Sequence, residues 1–334
     1  MKLIKIISNI ILWTFLFLCS VNYETTVYLF HQSRGQVSIL MNRQDFEVFV
    51  SENQLTEKQK LNLELITKIR KYSVDSLNYR PTKNFMKIFN QKNSPVLWVI
   101  TASEKYKIKP YYWKFPVVGT VSYKGFFNEQ RAIAAKDHLL SKGYDVDLRS
   151  VSAWSTLGWF SDPVLSSMLN RSKGQLCDLI FHELFHATYY AKSSVDFNEN
   201  LASFIARKAT IQFLRPDTIE LREYLESYND HKVIDAHIES ELRILNRFYD
   251  SIAGFSEEQK NILRLQKLTR ISRSFDKLKL ADPDRIKRVQ NNILSFKNAW
   301  FVDFGQYNSL QDSLEGVFNK FYQGNLAKMV QSLK

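Results

Sequence analysis

The sequence predicts an α+β fold that is mostly α-helical, with a small β-sheet in its first half and a bundle of helices at its C-terminal end. Segments 95–101, 116–123 and 144–151 are rich in β-branched residues or alternate between polar and apolar side chains, which is typical of strands. In most of the remaining chain, apolar residues recur at the spacing of one helix face. Because 45% of the 334 residues are hydrophobic, the chain can bury one or two sizeable cores.

The first 22 residues form a targeting segment, in which Lys2 and Lys5 precede a nearly continuous apolar run over residues 6–21. A cleaved signal peptide needs a small-x-small site, which is not clear here. A lipoprotein signal would use Cys19, although Leu18 stands where a small residue is expected. An uncleaved anchor with its lysines in the cytoplasm is favoured. We therefore expect a membrane-associated protein, with the rest of the chain outside the cytoplasm.

The region 23–90 is predicted to be helical. We expect a first helix over residues 23–53 that is interrupted at Arg34-Gly35-Gln36, and a second over 56–73 with Thr56 as its N-cap. The next region, 91–214, begins with the predicted strand 95–101 and its expected partner 116–123. A helix over 128–142 and the strand 144–151 follow, so that a small sheet with one crossing helix precedes the next motif.

An H-E-x-x-H motif, His182-Glu183-Leu184-Phe185-His186, lies in an apolar run that favours a helix. Positions four apart share a helix face, so His182 and His186 can bind one metal ion. Glu183 lies beside them, where it can act as a general acid/base on a water activated by zinc. The motif also occurs by chance on solvated helices, but here its flanking residues are apolar, and buried polar side chains need partners.

A catalytic zinc ion needs a third protein ligand, for which we predict Glu199. It lies thirteen residues after His186, beyond an expected turn at residues 192–194, and it opens a second helical pattern. The segment Asn198-Glu199-x-x-x-Ser203 resembles the corresponding segment of glutamate-type zinc peptidases, the gluzincins. We therefore expect one Zn²⁺ per chain, held by His182, His186 and Glu199 in a zincin-like core.

Other side chains are candidates for supporting roles. Asp178 lies four residues before His182 and could accept a hydrogen bond from an imidazole, as metal-bound histidines require. Ser203 stands where gluzincins often carry an aspartate. The oxyanion of a peptide substrate also needs a donor, for which we consider Tyr123, Tyr307 and Asn292, although structural packing is the more common role for each of them taken singly.

The remaining region, 215–334, is predicted to form amphipathic helices that pack on the core, over residues 217–250, 256–280, 285–304 and 309–333. His231 and His237 are six residues apart, which places them on different faces, and we expect both at the surface. The net charge of +12 comes from dispersed lysines and arginines, without a nucleic-acid-binding motif. A nucleic-acid partner is therefore not expected.

Several motifs together resemble a bacterial family of zinc aminopeptidases of the gluzincin type. Beside Arg34-Gly35-Gln36 and Asn291-Asn292, they are the segments 115–119 with 123–127, 155–163, 182–186 and 197–199. The resemblance implies His182, His186 and Glu199 as zinc ligands and Glu183 as the catalytic acid/base. It also implies peptide substrates and, together with the first segment, a place in the bacterial cell envelope. A G-x-M-E-N element that binds a free amino terminus is absent from the sequence, so cleavage inside a peptide stays open as well.

The predicted activity is zinc-dependent hydrolysis of a peptide bond by an aminopeptidase. Two alternatives remain at this point. One is a membrane-anchored zinc endopeptidase that cleaves envelope proteins. The other is a non-enzymatic envelope protein whose helices bind a partner.

Overall fold

The computed structural model describes residues 23–115, 119–151, 161–192, 194–302 and 310–334. In this part of the chain the fold is mostly helical with small sheets, which confirms the predicted α+β class. The helices are α1 (Tyr23–Met41), α2 (Phe46–Glu52), α3 (Glu57–Asp75), α4 (Glu129–Ser141), α5 (Lys173–His186), α6 (Val195–Leu214), α7 (Thr218–Ser251), α8 (Glu257–Ser274), α9 (Asp284–Phe296), α10 (Asn298–Phe301), α11 (Gln311–Tyr322) and α12 (Leu326–Ser332). The strands are β1 (Arg43–Gln44), β2 (Ile88–Phe89), β3 (Leu97–Ser103), β4 (Trp113–Phe115), β5 (Gly119–Val121), β6 (Tyr123–Phe126), β7 (Asp145–Val151) and β8 (Val164–Leu165).

The first helix differs from the prediction, because α1 continues through Gly35 and ends at Met41. A Cβ atom at position 35 would lie 2.2 Å from a ring carbon of Phe127. Glycine therefore serves here to let the helix approach that ring, rather than to break the helix. The predicted N-cap of α3 is confirmed: the Thr56 side chain accepts a hydrogen bond from the Gln59 N–H, and the Gln59 side chain accepts one from the Thr56 N–H.

The central sheet has the order β6-β3-β7 and is antiparallel throughout. The predicted pairing of β3 with residues 116–123 is wrong for β5 (Gly119–Val121), and of the described part of this segment Tyr123 is the residue that pairs with β3; residues 116–118 lie outside the described residues. The strand that pairs with β3 on this side is β6, with Trp98 opposite Phe126 and Thr101 opposite Tyr123. Part of the predicted segment forms β5 instead, which pairs with β4. Gly119 adopts a φ of 82°, a conformation that glycine enters readily, and it opens β5 where the chain turns back onto β4.

Three clusters of buried side chains hold the fold together. The first surrounds α5 and joins it to α3, α6, α11 and α12. The second lies between α7, α8, α9 and α10, and the third lies between the central sheet and α4. The last two predicted helices are each divided: Lys297 ends α9 at a φ of 52°, and Gln323 with Gly324 separates α11 from α12 at φ values of 53° and 73°. Left-handed residues end helices in this way.

A close contact between α5 and α7 depends on Gly174. A Cβ atom at this position would lie 2.7 Å from Cβ of Tyr224. We expect Gly174→Ala to lower the free energy of unfolding by about 1–3 kcal/mol, because the added methyl group overpacks the contact. Gly316→Ala in α11 is the matched control: its new Cβ would meet no atom of the described residues within 4 Å, and it should raise stability by up to about 1 kcal/mol. Urea unfolding of both variants measures the difference, and equal stabilities would contradict the packing role of Gly174.

Within the described residues, no helix has the length and apolar character needed to cross a membrane. The predicted anchor, residues 1–22, lies outside the described residues. The division of the chain at residues 22, 90 and 214 stays a prediction.

Candidate metal centre

The H-E-x-x-H motif occupies the last turns of α5. The Ser172 side chain accepts a hydrogen bond from the Gln175 N–H and begins the helix. Buried apolar side chains on α5 anchor it in the first core: Leu176, Ile180, Phe181, Leu184 and Phe185. His182 and Glu183 are half-buried and His186 is buried. The apolar face thus fixes α5 in the first core. Both imidazoles face α6, which is the helix that packs most extensively on α5.

A turn fixed by Asn198 brings α6 back to α5. The Asn198 side chain accepts a hydrogen bond from the Ala191 N–H and donates one to the Ala191 carbonyl, both at 2.8 Å. The helix begins at Val195, four residues earlier than the pattern at Glu199 indicated. Glu199 therefore lies inside α6, at a point where its carboxylate reaches both imidazoles.

The three predicted ligands meet at one point. His182 Nε2 lies 3.1 Å from His186 Nε2 and 3.2 Å from Glu199 Oε2. His186 Nε2 lies 3.4 Å from Glu199 Oε1. Ligand atoms about 2.0–2.1 Å from a tetrahedral zinc ion are about 3.3 Å apart. Among the residues that the structure describes, this is the one group of His, Cys, Asp and Glu side chains able to hold a metal ion.

The electrostatics of this group favour an ionised carboxylate. Burial by itself raises the pKa of Glu199, but hydrogen bonds from the two imidazoles lower it to about 2. Burial by itself lowers the pKa of His182, yet its hydrogen bond to Glu199 and the charges of nearby carboxylates raise it overall. Two imidazole nitrogens and a carboxylate, directed at one another, are the donor set of a hydrolytic zinc site.

Two buried polar atoms at the centre lack a hydrogen-bond partner among the described residues. They are Glu183 Oε2 and His186 Nδ1. An unpaired carboxylate oxygen in a buried position is costly. A metal ion with a bound water molecule would give Glu183 a partner, so the residues fit a zinc ion.

The supporting residues differ in position. Ser203 lies one turn after Glu199 on α6, and its Oγ is 3.4 Å from His182 Nδ1, where it can orient the imidazole. Asp178 accepts a hydrogen bond of 2.8 Å from the hydroxyl of Tyr224 instead. Burial raises the pKa of Asp178, although the hydrogen bond from Tyr224 lowers it. The structure therefore places Ser203, and not Asp178, beside the free nitrogen of His182.

A cleft of about 440 Å³ opens beside the centre. One wall is α5, with His182 and Glu183, and Glu199 lies between the walls. The other wall is a stripe on α7 that sequence reasoning missed: Tyr224, Ser227, Tyr228 and His231. Their spacing of three and four residues puts them on one helix face, but the surrounding charges of α7 made that face look like a solvated one.

The two remaining histidines of the C-terminal region have local partners. His231, at the mouth of the cleft, lies 2.9 Å from the Ser227 carbonyl and also contacts Arg285. Its pKa is lowered by burial and by the charge of Arg285. His237 is half-buried, away from the cleft, and lies 2.7 Å from the Ser274 hydroxyl.

The three predicted oxyanion donors also differ in position. Tyr123 begins β6 and is not among the residues that line the cleft; its pKa is raised by burial and then by the charge of Glu199. Asn292 lies on α9, in the helical region away from the walls of the cleft. Tyr307 lies outside the described residues. Tyr228 is a further candidate in the cleft: it accepts a hydrogen bond from Arg207, which leaves its own proton free to be donated.

Comparison with known proteins identifies one family. A family model described as "Putative aminopeptidase" matches residues 27–334, which is nearly all of the chain. No curated protein and no solved structure matches the chain.

Proposed function

The chain belongs to this aminopeptidase family, and on that premise we propose that it is a zinc-dependent metallopeptidase with a gluzincin-type core. One observation carries the proposal. His182, His186 and Glu199 direct three ligand atoms at one another at distances of 3.1–3.4 Å. Beside them, Glu183 keeps a buried oxygen that has no hydrogen-bond partner among the described residues. A structural zinc site is closed by four protein ligands, whereas three ligands and an adjacent base are typical of hydrolysis.

His182, His186 and Glu199 would hold the zinc ion. When bound, zinc polarises the scissile carbonyl and activates a water molecule. Glu183 takes a proton from the attacking water and passes it to the departing amine, so that one carboxylate serves as base and then as acid. Ser203 keeps the His182 ring oriented through its Nδ1 atom.

The negative charge on the substrate oxygen requires a fixed donor. Tyr123 supplies one from the sheet, and Tyr228 supplies one from α7. Tyr228 is held in place because the Arg207 guanidinium lies 4.9 Å from its ring centre and also pairs with Glu315. The apolar first segment, residues 1–22, anchors the enzyme to the membrane of a bacterial envelope, with the peptidase region outside the cytoplasm.

The test is a metal analysis of the purified full chain combined with a peptidase assay. We expect one zinc ion per chain and hydrolysis of short unblocked peptides. A chelator should remove the bound zinc and abolish hydrolysis, and adding one equivalent of zinc should restore hydrolysis. A well-folded chain that hydrolyses peptides equally fast with and without zinc would sink the proposal.

A further inference from the structure

We propose that the outer face of α1, together with the groove beside it, docks on a bilayer that contains anionic lipids. The enzyme then lies on the membrane surface in one orientation, in addition to being anchored there by its first segment. This inference goes beyond the peptidase function, and it rests on the membrane anchoring proposed above.

The inner face of α1 is fixed to the rest of the molecule. The Tyr28 hydroxyl and Gln32 Nε2 donate hydrogen bonds of 3.0 and 3.1 Å to the Gly125 carbonyl of β6. Ile39 is buried and belongs to the first core. These three side chains are four and seven residues apart, which places them on one side of the helix. The opposite side of α1 therefore has a fixed position relative to the first core, which also holds α5.

The outer face of α1 carries an exposed apolar stripe, which consists of Tyr23, Phe30, Val37 and Met41. Their exposed fractions are 68%, 64%, 50% and 78%. Because each residue turns the helix by about 100°, separations of seven and four keep all four side chains within about 40° around the helix axis. The stripe thus runs the length of the helix, where contact with water is unfavourable. A helix that is apolar on two opposite faces needs a second partner.

The chain before α1 indicates that this partner is a lipid bilayer. Residues 6–21 are nearly continuously apolar, and Asn22 alone separates them from Tyr23, where α1 begins. Because residues 1–22 enter the membrane in the proposed arrangement, α1 begins at the bilayer surface. Helices with an exposed apolar face lie in this interface, where tyrosine is also enriched. The stripe is therefore in a position where lipid can cover it.

A basic groove borders the stripe. It has a volume of about 400 Å³, lies between α1 and the start of α4, and is lined by His31, Arg34 and Arg131 together with Ser38 and Asn128. Within the described residues, no carboxylate forms an ion pair with either guanidinium group. Guanidinium groups bind phosphate oxygens through paired hydrogen bonds. The groove therefore fits the phosphate of a lipid headgroup.

Arg34 connects the groove to the stripe and argues against other partners. It lies four residues after Phe30 and three before Val37, so it shares their side of the helix. A lipid whose phosphate contacts Arg34 can place its acyl chains against both apolar side chains. Two copies of the chain that met through this face would bring like charges together. Residues 6–21 carry no acidic side chain that could pair with the groove.

The experiment places a fluorescent label on the stripe of the full chain. Val37→Cys carries the label, and Cys19→Ser leaves the buried Cys177 as the other thiol. The chain is reconstituted in vesicles of phosphatidylcholine and phosphatidylglycerol. We expect spin-labelled lipid to quench this label and aqueous iodide not to reach it. A label at Glu226→Cys, which is exposed on α7, should show the reverse.

The contribution of the groove is measured with Arg34→Glu/Arg131→Glu. Each basic residue near an anionic surface strengthens binding about fivefold, so this variant should weaken docking of the labelled stripe at least about tenfold. Vesicles of phosphatidylcholine alone should also weaken docking of the unmodified groove, which gives a second measurement that needs no groove variant. The matched control is Arg222→Glu/Arg243→Glu, the same change of charge at two exposed positions of α7, which should leave docking unchanged. Circular dichroism verifies that all variants are folded.

Three results would overturn the inference while the peptidase function stands. One is a stripe label that iodide reaches in the anionic vesicles. Another is a label that neither quencher reaches, because protein then covers the stripe, either a second copy or the first segment. The third is an equal effect of the two charge variants. A full chain that fails to float with the vesicles overturns the proposed anchoring, and this inference with it.

Discussion

Glu183→Gln is expected to lower the rate of peptide hydrolysis by about 10²–10⁴-fold while the chain still binds one zinc ion. The amide has nearly the shape of the carboxylate, so packing on α5 is unchanged. It cannot take a proton from water, and it cannot return one to the leaving amine. The loss should therefore appear in kcat, with KM nearly unchanged, because Glu183 acts in the transition state rather than in binding. Steady-state kinetics with a short unblocked peptide measures both constants.

Zinc analysis on the same preparation separates this result from loss of the metal. Gln175→Glu is a useful control, since Gln175 lines the same cleft on the same helix but lies two turns before the base. It should leave kcat within a few-fold of wild type. Full activity of Glu183→Gln at normal zinc content would falsify the role of Glu183 as acid/base.

Glu199→Ala is expected to abolish tight zinc binding. It removes the one anionic ligand and leaves two imidazoles, which hold zinc much less strongly. The loss of affinity should exceed the roughly 10–100-fold loss that is typical when a partner of a ligand is removed. Ser203→Ala removes such a partner from His182 and should fall within that range. Competition with a fluorescent zinc chelator measures the zinc affinities of wild type, Ser203→Ala and Glu199→Ala on one scale.

Glu226→Ala is the matched control, because Glu226 is exposed on α7 and does not line the cleft. Its zinc affinity should equal that of wild type. If Glu199→Ala retained one tightly bound zinc per chain, the third ligand would have to be another residue. We therefore expect zinc affinity to decrease in the order wild type, Ser203→Ala, Glu199→Ala.

The candidate centre was predictable from the sequence because its signals are local. His182 and His186 share a helix face through their spacing alone, and the apolar residues around them predicted that the helix is buried. Glu199 was recognised beside Asn198 and a short turn, and the structure adds that the Asn198 amide closes this turn on Ala191. The N-cap at Thr56 is local in the same sense.

The partner of β3 was not predictable in the same way. Both 116–123 and 123–126 follow β3 only after long connections, so no tight-turn signal chooses between them, and the choice depends on where the chain packs back on the sheet. The continuation of α1 through Gly35 could also be seen only in the tertiary structure. Glycine within a helix favours a break, unless a closely packed neighbour leaves no room for a side chain. Phe127 is such a neighbour, 92 residues later in the sequence.

The sequence by itself determined the α+β class, the helix with the H-E-x-x-H motif, the metal-ligand candidates and, through its motifs, the family. Only the tertiary structure decided that Ser203 lies beside His182, that α7 forms the second wall of the cleft, and that α1 donates hydrogen bonds from Tyr28 and Gln32 to the Gly125 carbonyl of β6. The physical reason is the separation along the sequence of the residues that interact. Helix periodicity, capping and the spacing of ligands on a helix depend on residues a few positions apart, whereas a cleft wall or a contact between a helix and a distant strand depends on side chains that only packing brings together.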